Sequence, residues 1–353
     1  MLKKTTLFKS LIAFFILFVL TPEAMAQKAK DVKVFQINVW QEGTIVPNGF
    51  DAIIDEIIDK DADVVVFSEV RNYNNTDFVK RVLESLKEKG EIYHGESSEP
   101  SLDVALIAKF PIADQEPMYK TKDTKMGSIL KTKINIHNKD FLFYSVHLDY
   151  TNYACYLPRG YDGVTWKKLD TPITDANAIS MANRKGRRDE AIEDLIKDID
   201  TENKEQFIIV AGDFNEPSHL DWTNETKDLF DHRGAIVPWD CSILLQHAGF
   251  KDAFRTKYPN PVTHPGFTFP SANPAMEINK LTWAPTADER DRIDYIYFKP
   301  IGSIRLKGIK VVGPEETIVR GAVKAKDSKD RFLVPKKTWP TDHKALLATF
   351  TVQ

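Results

Sequence analysis

Short runs of apolar residues alternate along this chain between two periods. Val32 to Val39 carries Val34, Ile37 and Val39 in a strand-like pattern, whereas Ile53, Ile54, Ile57 and Ile58 recur at helical spacing within 50–60. Val64 to Phe67 is wholly apolar between Asp63 and Ser68, as a strand buried on both faces should be. Phe78, Val82 and Leu86 predict an amphipathic helix over 77–89, and Val104 to Ala108 a strand closed by Phe110-Pro111. Residues 131–136 and 141–147 read as a hairpin around Asn138-Lys139. Further on, the pattern predicts a helix over 188–199, a buried strand over 207–211, a short helix over 240–249, and strands over 293–298 and 345–352. The stretch from Asp149 to about Asn183 breaks the pattern. It contains Tyr150, Tyr153, Tyr156, Tyr161 and Trp166, which argue against plain disorder. These aromatics suit either a wall of a cleft or a small core of their own. Mixed strands and helices with several hairpins predict two packed sheets with helices outside.

The first residues are set apart from this fold. Lys3, Lys4 and Lys9 precede the apolar Leu11 to Leu20, and Ala24 and Ala26 flank Met25. That is the layout of a secretory signal peptide cut after Ala26, with export to the periplasm or the extracellular space. Ten apolar residues are too few to span a bilayer, which takes roughly 20. An uncleaved anchor is the alternative. No cysteine near the cut supports a lipoprotein, and no later stretch is apolar enough to span, so no membrane span is expected after cleavage. Residues 27–353 read as one domain, with a monomer expected.

Removing 1–26 changes the 48 basic and 51 acidic residues to 45 and 50, a balance of −5. A general binder of polyanions should present a basic face. The balance therefore argues against a non-specific nuclease, although a local patch is compatible with it. Cys155 and Cys241 are the only cysteines. Export would permit a disulfide, but two buried thiols are the simpler reading.

Candidate chemistry collects where apolar strands stop. Asn38 follows Val34 to Ile37, Glu69 follows Val64 to Ser68, and His147 follows Phe143 to Val146. Asp213 and Asn215 follow Ile208 to Gly212, and Asp342-His343 precedes the last strand. One such case is ordinary strand termination; five, with carboxylate, amide and imidazole together, point to a site on a rigid scaffold.

These segments also carry a resemblance. Gly212-Asp213-Phe214-Asn215 resembles the GDFN motif of the endonuclease/exonuclease/phosphatase superfamily. Phe35 to Asn38, Asp63 to Val70, Val104 to Ile112, Ser145 to Leu148, Asp291 to Ile296 and Pro340 to His343 resemble its other segments in the family's order. Thr341 stands where the family's terminal motif has Ser. The resemblance implies a four-layer α/β sandwich, two mixed sheets between helices, and Mg²⁺- or Mn²⁺-dependent hydrolysis of phosphate esters. It implies that Glu69, with Asn38 and Asp342, holds the metal. His147, Asp213, Asn215, Asp294 and His343 are implied as the catalytic group, with Asp294 orienting His343. Which imidazole is acid and which is base stays open.

The residue chemistry agrees. A hard cation takes one or two carboxylates, a carboxylate can hold a water, and an amide can donate to a phosphate oxygen. A solvated strand end at Glu69 and an Asx turn at 213–215 are the plainer alternatives. Arg184 and Arg187, in a basic cluster with Lys185 and Arg188, are candidate phosphate contacts. So is His219, four residues past Asn215. No HExxH, CxxC pair or Walker-type glycine loop competes.

The expected substrate is a phosphate ester of a small molecule, a lipid headgroup or a glycan. A secreted nuclease is the alternative, nucleic acid being admitted but not favoured. A binding module without catalysis should have lost one of Glu69, Asp213, Asn215 or His343, and all are present.

Overall fold

The computed structural model describes residues 29–97, 102–118 and 126–353; the expected leader and its cleavage point lie outside them. In chain order the strands and helices are β1 (Lys30–Asn38), α1 (Gly49–Lys60), β2 (Val64–Ser68), α2 (Phe78–Glu88), β3 (Val104–Ala108), β4 (Ile112–Pro117), β5 (Gly127–Ile136) and β6 (Lys139–Leu148). Then follow α3 (Ala176–Asn183), α4 (Arg188–Thr201), β7 (Phe207–Asp213), α5 (Asp240–His247), β8 (Lys251–Asp252), α6 (Ala253–Lys257), β9 (Asp294–Phe298) and β10 (Ile304–Val312). The chain closes with β11 (Thr317–Val319), β12 (Ala322–Lys324), β13 (Phe332–Leu333) and β14 (Ala345–Val352).

The strands form two six-stranded sheets, ordered β13-β10-β14-β1-β2-β3 and β4-β5-β6-β7-β9-β8, with a small β11-β12 hairpin aside. The two share a pattern. In the first, β3, β2, β1, β14 and β10 pair antiparallel, parallel, antiparallel, antiparallel. In the second, β5, β6, β7, β9 and β8 repeat it. Each sheet thus has one central parallel pair, β1 with β2 and β6 with β7; the short edge pair β10 with β13 in the first sheet is also parallel. A parallel pair needs a crossover, and α1 supplies it in the first sheet, α3 and α4 in the second.

Alternation assigns the faces. Val32, Val34, Val64, Val66, Leu106 and Ala108 meet Phe141, Phe143, Phe207, Ile209 and Ala211 in the core between the sheets. The intervening residues Phe35, Ile37, Val65 and Phe67 pack under α1 and α2. Leu142, Tyr144, Val146, Ile208 and Val210 pack under α4 and α5. The layers are therefore helix, sheet, sheet, helix, as the resemblance implies. Stretches such as Val64 to Ser68 are apolar throughout because both faces are covered.

The long segment after β6 has its own small core. Tyr153, Tyr156 and Tyr161 pack with Trp222, Trp239 and Phe269. Arg188, fully buried, ties this segment down by donating to the carbonyls of Asp149, Thr151 and Asn152. Both cysteines are free and buried. The long strand β10 escapes the sequence pattern because its outward face is charged: Arg305, Lys307 and Lys310 interrupt the apolar positions.

Candidate active site

A parallel pair leaves its strand ends on one side, and the register brings particular side chains there. Asn38 stands beside Ser68 at the end of β1 and β2. His147 stands beside Asp213 near the end of β6 and β7, and Asp294 opposes Asp213 at the start of β9. The two sheets meet at this edge. Ser68 Oγ donates to the carbonyl of Val146 and accepts from Asp213 N, so the backbones of the two sheets are bridged by one hydroxyl. Gly212 makes the close approach possible: a Cβ there would lie 1.8 Å from the Val146 carbonyl oxygen, and its φ is +146°.

A cavity of about 410 Å³ opens at this edge. Glu69, His147, Asp213, Asn215, Asp342 and His343 line it. Asn38 is fully buried behind them. Its amide nitrogen donates to Glu69 Oε1 at 3.1 Å and to Asp213 Oδ2 at 3.0 Å, and its oxygen accepts from Trp40 N. Asn38 therefore orients the two carboxylates in this structure, its oxygen being already engaged. Glu69 has φ +67°, an uncommon conformation for a residue with a Cβ. Its second oxygen accepts from Gln41 N at 3.0 Å.

Two histidines converge on one carboxylate. His147 Nε2 and His343 Nε2 each lie 3.9 Å from Asp213 Oδ2. Their other nitrogens are held by carboxylates: His147 Nδ1 by Asp103 Oδ2 at 2.7 Å, and His343 Nδ1 by Asp294 Oδ2 at 2.9 Å. Gln36 on β1 donates to the free oxygen of Asp294 at 2.8 Å, tying the first sheet to the second. Burial would lower the proton affinity of both rings, but the facing carboxylates, Asp103 and Asp294 foremost, outweigh it. His147 is raised to about 9 and His343 to about 10. Burial, reinforced by Asp294, pushes Asp213 up to about 6 against the pull of the two rings. Burial and the charge of Glu69 push Asp342 up to about 7.

The sequence missed two members of this group. Asp103 precedes β3, which runs antiparallel to β2, so its start lies at the same edge as the end of β2. An acid just before a strand is as strong a signal as a polar residue just after one, when the neighbour runs the other way. Arg71 bridges Asp103 and Glu69; its guanidinium pairs with Asp103 and lies 3.7 Å from Glu69. The buried carboxylate of Glu42 fixes the turn, accepting from Arg71 N at 2.8 Å and from Asn72 N.

The three expected phosphate contacts lie elsewhere. Arg184 pairs with Asp240 and Arg187 with Glu190, both on exposed surface, and neither lines the cavity. Acids beside them already compensate the charge at the start of α4. His219 points away into a separate recess, bonded through Nδ1 to Ser242 and through Nε2 to Gln246. Four residues of turn suffice to carry it off the strand edge. The aromatic segment serves both readings: Tyr153 and Tyr156 belong to the small core and also line the cavity, with Tyr150 and Trp166.

Oxygen donors dominate the floor. Glu69 and Asp342 are close enough for one charge to raise the other's proton affinity, and among the described residues Asp342 pairs with no Lys or Arg. Both carboxylates line the cavity and offer the oxygen ligands a hard divalent cation takes, the Glu69 oxygens also accepting from Asn38 and from Gln41 N. A second grouping, Asp213, Asp294 and His343, has ligand atoms within 4.8 Å of one another. There the Asp294 oxygens and His343 Nδ1 are already engaged by hydrogen bonds.

Comparison with known proteins places these features among relatives. The model of the Endonuclease/Exonuclease/phosphatase family matches residues 35–343. An uncharacterized Caenorhabditis elegans protein is 30% identical over 275 residues, which cover 76% of this chain and 78% of that one. Among solved structures, D. rerio TDP2 complexed with a single-strand DNA product is 14% identical, with a TM-score of 0.51, covering 91% of this chain and 98% of that one. The human nocturnin catalytic domain with bound sulfate anion is also 14% identical, with a TM-score of 0.50 and coverage of 92% and 94%. At such identity these structures show a common fold.

Proposed function

The chain belongs to the endonuclease/exonuclease/phosphatase family and is a phosphoric ester hydrolase, and from that premise we propose that it hydrolyses a phosphodiester or phosphomonoester of a small molecule, lipid headgroup or glycan. The observation that carries this reading is the paired arrangement around Asp213: two carboxylate-backed imidazoles, each with Nε2 at 3.9 Å from Asp213 Oδ2. Below their raised values both rings carry a proton and a positive charge. They can then donate to phosphoryl oxygens as negative charge builds there. Asp213 is held by Asn38 and by Asn215 N, and so can orient a water and accept its proton. The Asn215 amide spends one hydrogen on the Leu148 carbonyl and lines the cavity with the other available to a phosphate oxygen.

Family members act with divalent metals. We assign Mg²⁺ or Mn²⁺ to Glu69 and Asp342, with Asn38 orienting Glu69. A cation held there would supply charge stabilisation to the phosphate and its leaving oxygen. Beyond the two imidazoles, each backed by a carboxylate, Arg71 is the one Lys or Arg among the described residues lining the cavity, and its charge is already met by Asp103 and Glu69. That supports a small ester over a polyanion. A nuclease is the second reading, favoured by the paired imidazoles, which suit any phosphodiester.

We also read residues 27–353 as one exported domain after removal of 1–26. Among the described residues no helix is long and apolar enough to cross a membrane. The test is hydrolysis of bis-p-nitrophenyl phosphate, p-nitrophenyl phosphate and plasmid DNA in parallel, with Mg²⁺, Mn²⁺ or chelator. Turnover of aryl esters that chelator abolishes, with DNA left intact, is the expected outcome. DNA cleavage would make the nuclease reading the better one, and no turnover of any of the three would overturn hydrolysis of simple esters.

A further inference from the structure

One wall of the cavity is built from aromatic rings that the hydrolytic reading leaves unused. Trp166 and Trp283 pack as a tilted pair, with centroids 5.2 Å apart and planes at 32°. Tyr156 meets the edge of Trp166 at 5.1 Å. Trp283 is 53% exposed, an unusual state for the largest apolar side chain. Two further features show that this exposure is built into the fold. Trp166 holds φ +60°, a costly conformation for a bulky residue. The loop carrying Trp283 is organised by the buried carboxylate of Glu289, which accepts from Trp283 N and Ala284 N at 3.0 Å and from the Tyr156 hydroxyl at 2.8 Å.

We propose that Trp283, backed by Trp166, seats a planar ring of the substrate, so that the ester hydrolysed in this cavity is of nucleotide or aryl type. This rests on the cavity being the phosphoester site. Tyr156, Trp166 and Trp283 offer ring faces on this wall, the Tyr156 hydroxyl being already held by Glu289. Those three rings would pair few of a sugar's hydroxyls. A flat π ring needs only a face. Because Trp166 already packs against Trp283, the pair seats one ring and not a stack of bases. A cavity of about 410 Å³ agrees with a single small ligand.

The test is calorimetric titration of the purified protein with adenosine 5′-monophosphate, phenyl phosphate and ribose 5-phosphate. Each carries one phosphate, and only the first two carry a flat ring. At least one ring-bearing probe should bind about tenfold tighter than ribose 5-phosphate, and which one does so separates nucleobase from aryl. Trp283→Ala should abolish that advantage and Trp283→Phe should retain most of it. Equal binding of all three, no binding of the ring-bearing probes at millimolar concentration, or an advantage that survives Trp283→Ala would overturn the proposal. So would ribose 5-phosphate binding that depends on Trp283, which would assign the wall to a sugar. The exposed position of Trp283 keeps the variants folded, as circular dichroism would verify. A ring advantage with no turnover of p-nitrophenyl esters, of the ring-bearing probes or of plasmid DNA would sink the hydrolytic reading and spare the ring seat; turnover without the advantage would do the reverse.

Discussion

Asp103 Oδ2 lies 2.7 Å from Nδ1 of His147, although the two come from different sheets and stand 44 positions apart. The pair mirrors Asp294 and His343, so the cavity holds two imidazoles backed by two carboxylates. A backing carboxylate fixes which nitrogen faces the cavity and favours the charged ring.

Asp103 should therefore control the alkaline limb of activity. His147 is raised to about 9, so a step needing its proton persists below that pH and fails as pH rises through it. Asp103→Asn removes the chief raising charge and leaves burial opposed by less. The alkaline limb of kcat/KM should move to lower pH, with activity at pH 8 falling on the order of tenfold to a hundredfold. An unmoved limb measured on bis-p-nitrophenyl phosphate would exclude His147 as the proton donor.

Glu69→Gln and Asp342→Asn should act on metal binding. Each removes one of the carboxylates assigned to the cation, so calorimetric Mn²⁺ affinity should fall on the order of tenfold or more. Activity should fall with it and recover in part at high metal concentration. Asn215→Ala should instead lower kcat with Mn²⁺ affinity unchanged, because its side chain bonds the Leu148 carbonyl and faces substrate.

Arg184→Ala and Arg187→Ala should leave kcat/KM within about twofold and stability within about 0.5 kcal/mol, both residues being exposed and paired on the surface. His219→Ala should cost stability, on the order of 1 kcal/mol for its two lost hydrogen bonds, with activity unchanged. A large loss of activity in any of the three would return it to the site.

Gly212→Ala should destabilise the protein by on the order of 4 kcal/mol or more, seen as a large fall in melting temperature. The added methyl would enter the backbone of β6 at Val146, so the strand pair must part or bend. A melting temperature within a few degrees of the unaltered protein would mean that the edge is more yielding than its spacing implies.

Both thiols are free and buried, and burial holds each thiol well above its ordinary range. A thiol reagent should find about two reactive groups after denaturation and almost none before. Gel mobility should not change with reductant. Protection from the reagent after denaturation would show a disulfide in the purified protein.

The order of apolar periods was enough to locate most strands and helices, because each is written locally: Val64 to Ser68 and Val104 to Ala108 could hardly be anything else. Asn38, Glu69, His147, Asp213, Asn215, Asp342 and His343 were also legible, since each marks a strand end and all but Asn38 line one cavity. Charge interrupting the apolar face hid β10. Tertiary structure alone decided what depends on register and reach. It added Asp103 by running β3 against β2, and removed Arg184, Arg187 and His219 by turning them towards nearer partners. It also gathered Tyr156, Trp166 and Trp283 into one wall. Local pattern specifies which face a residue occupies, but contacts between distant segments, such as Gln36 with Asp294 across 258 positions, exist only once two sheets have packed.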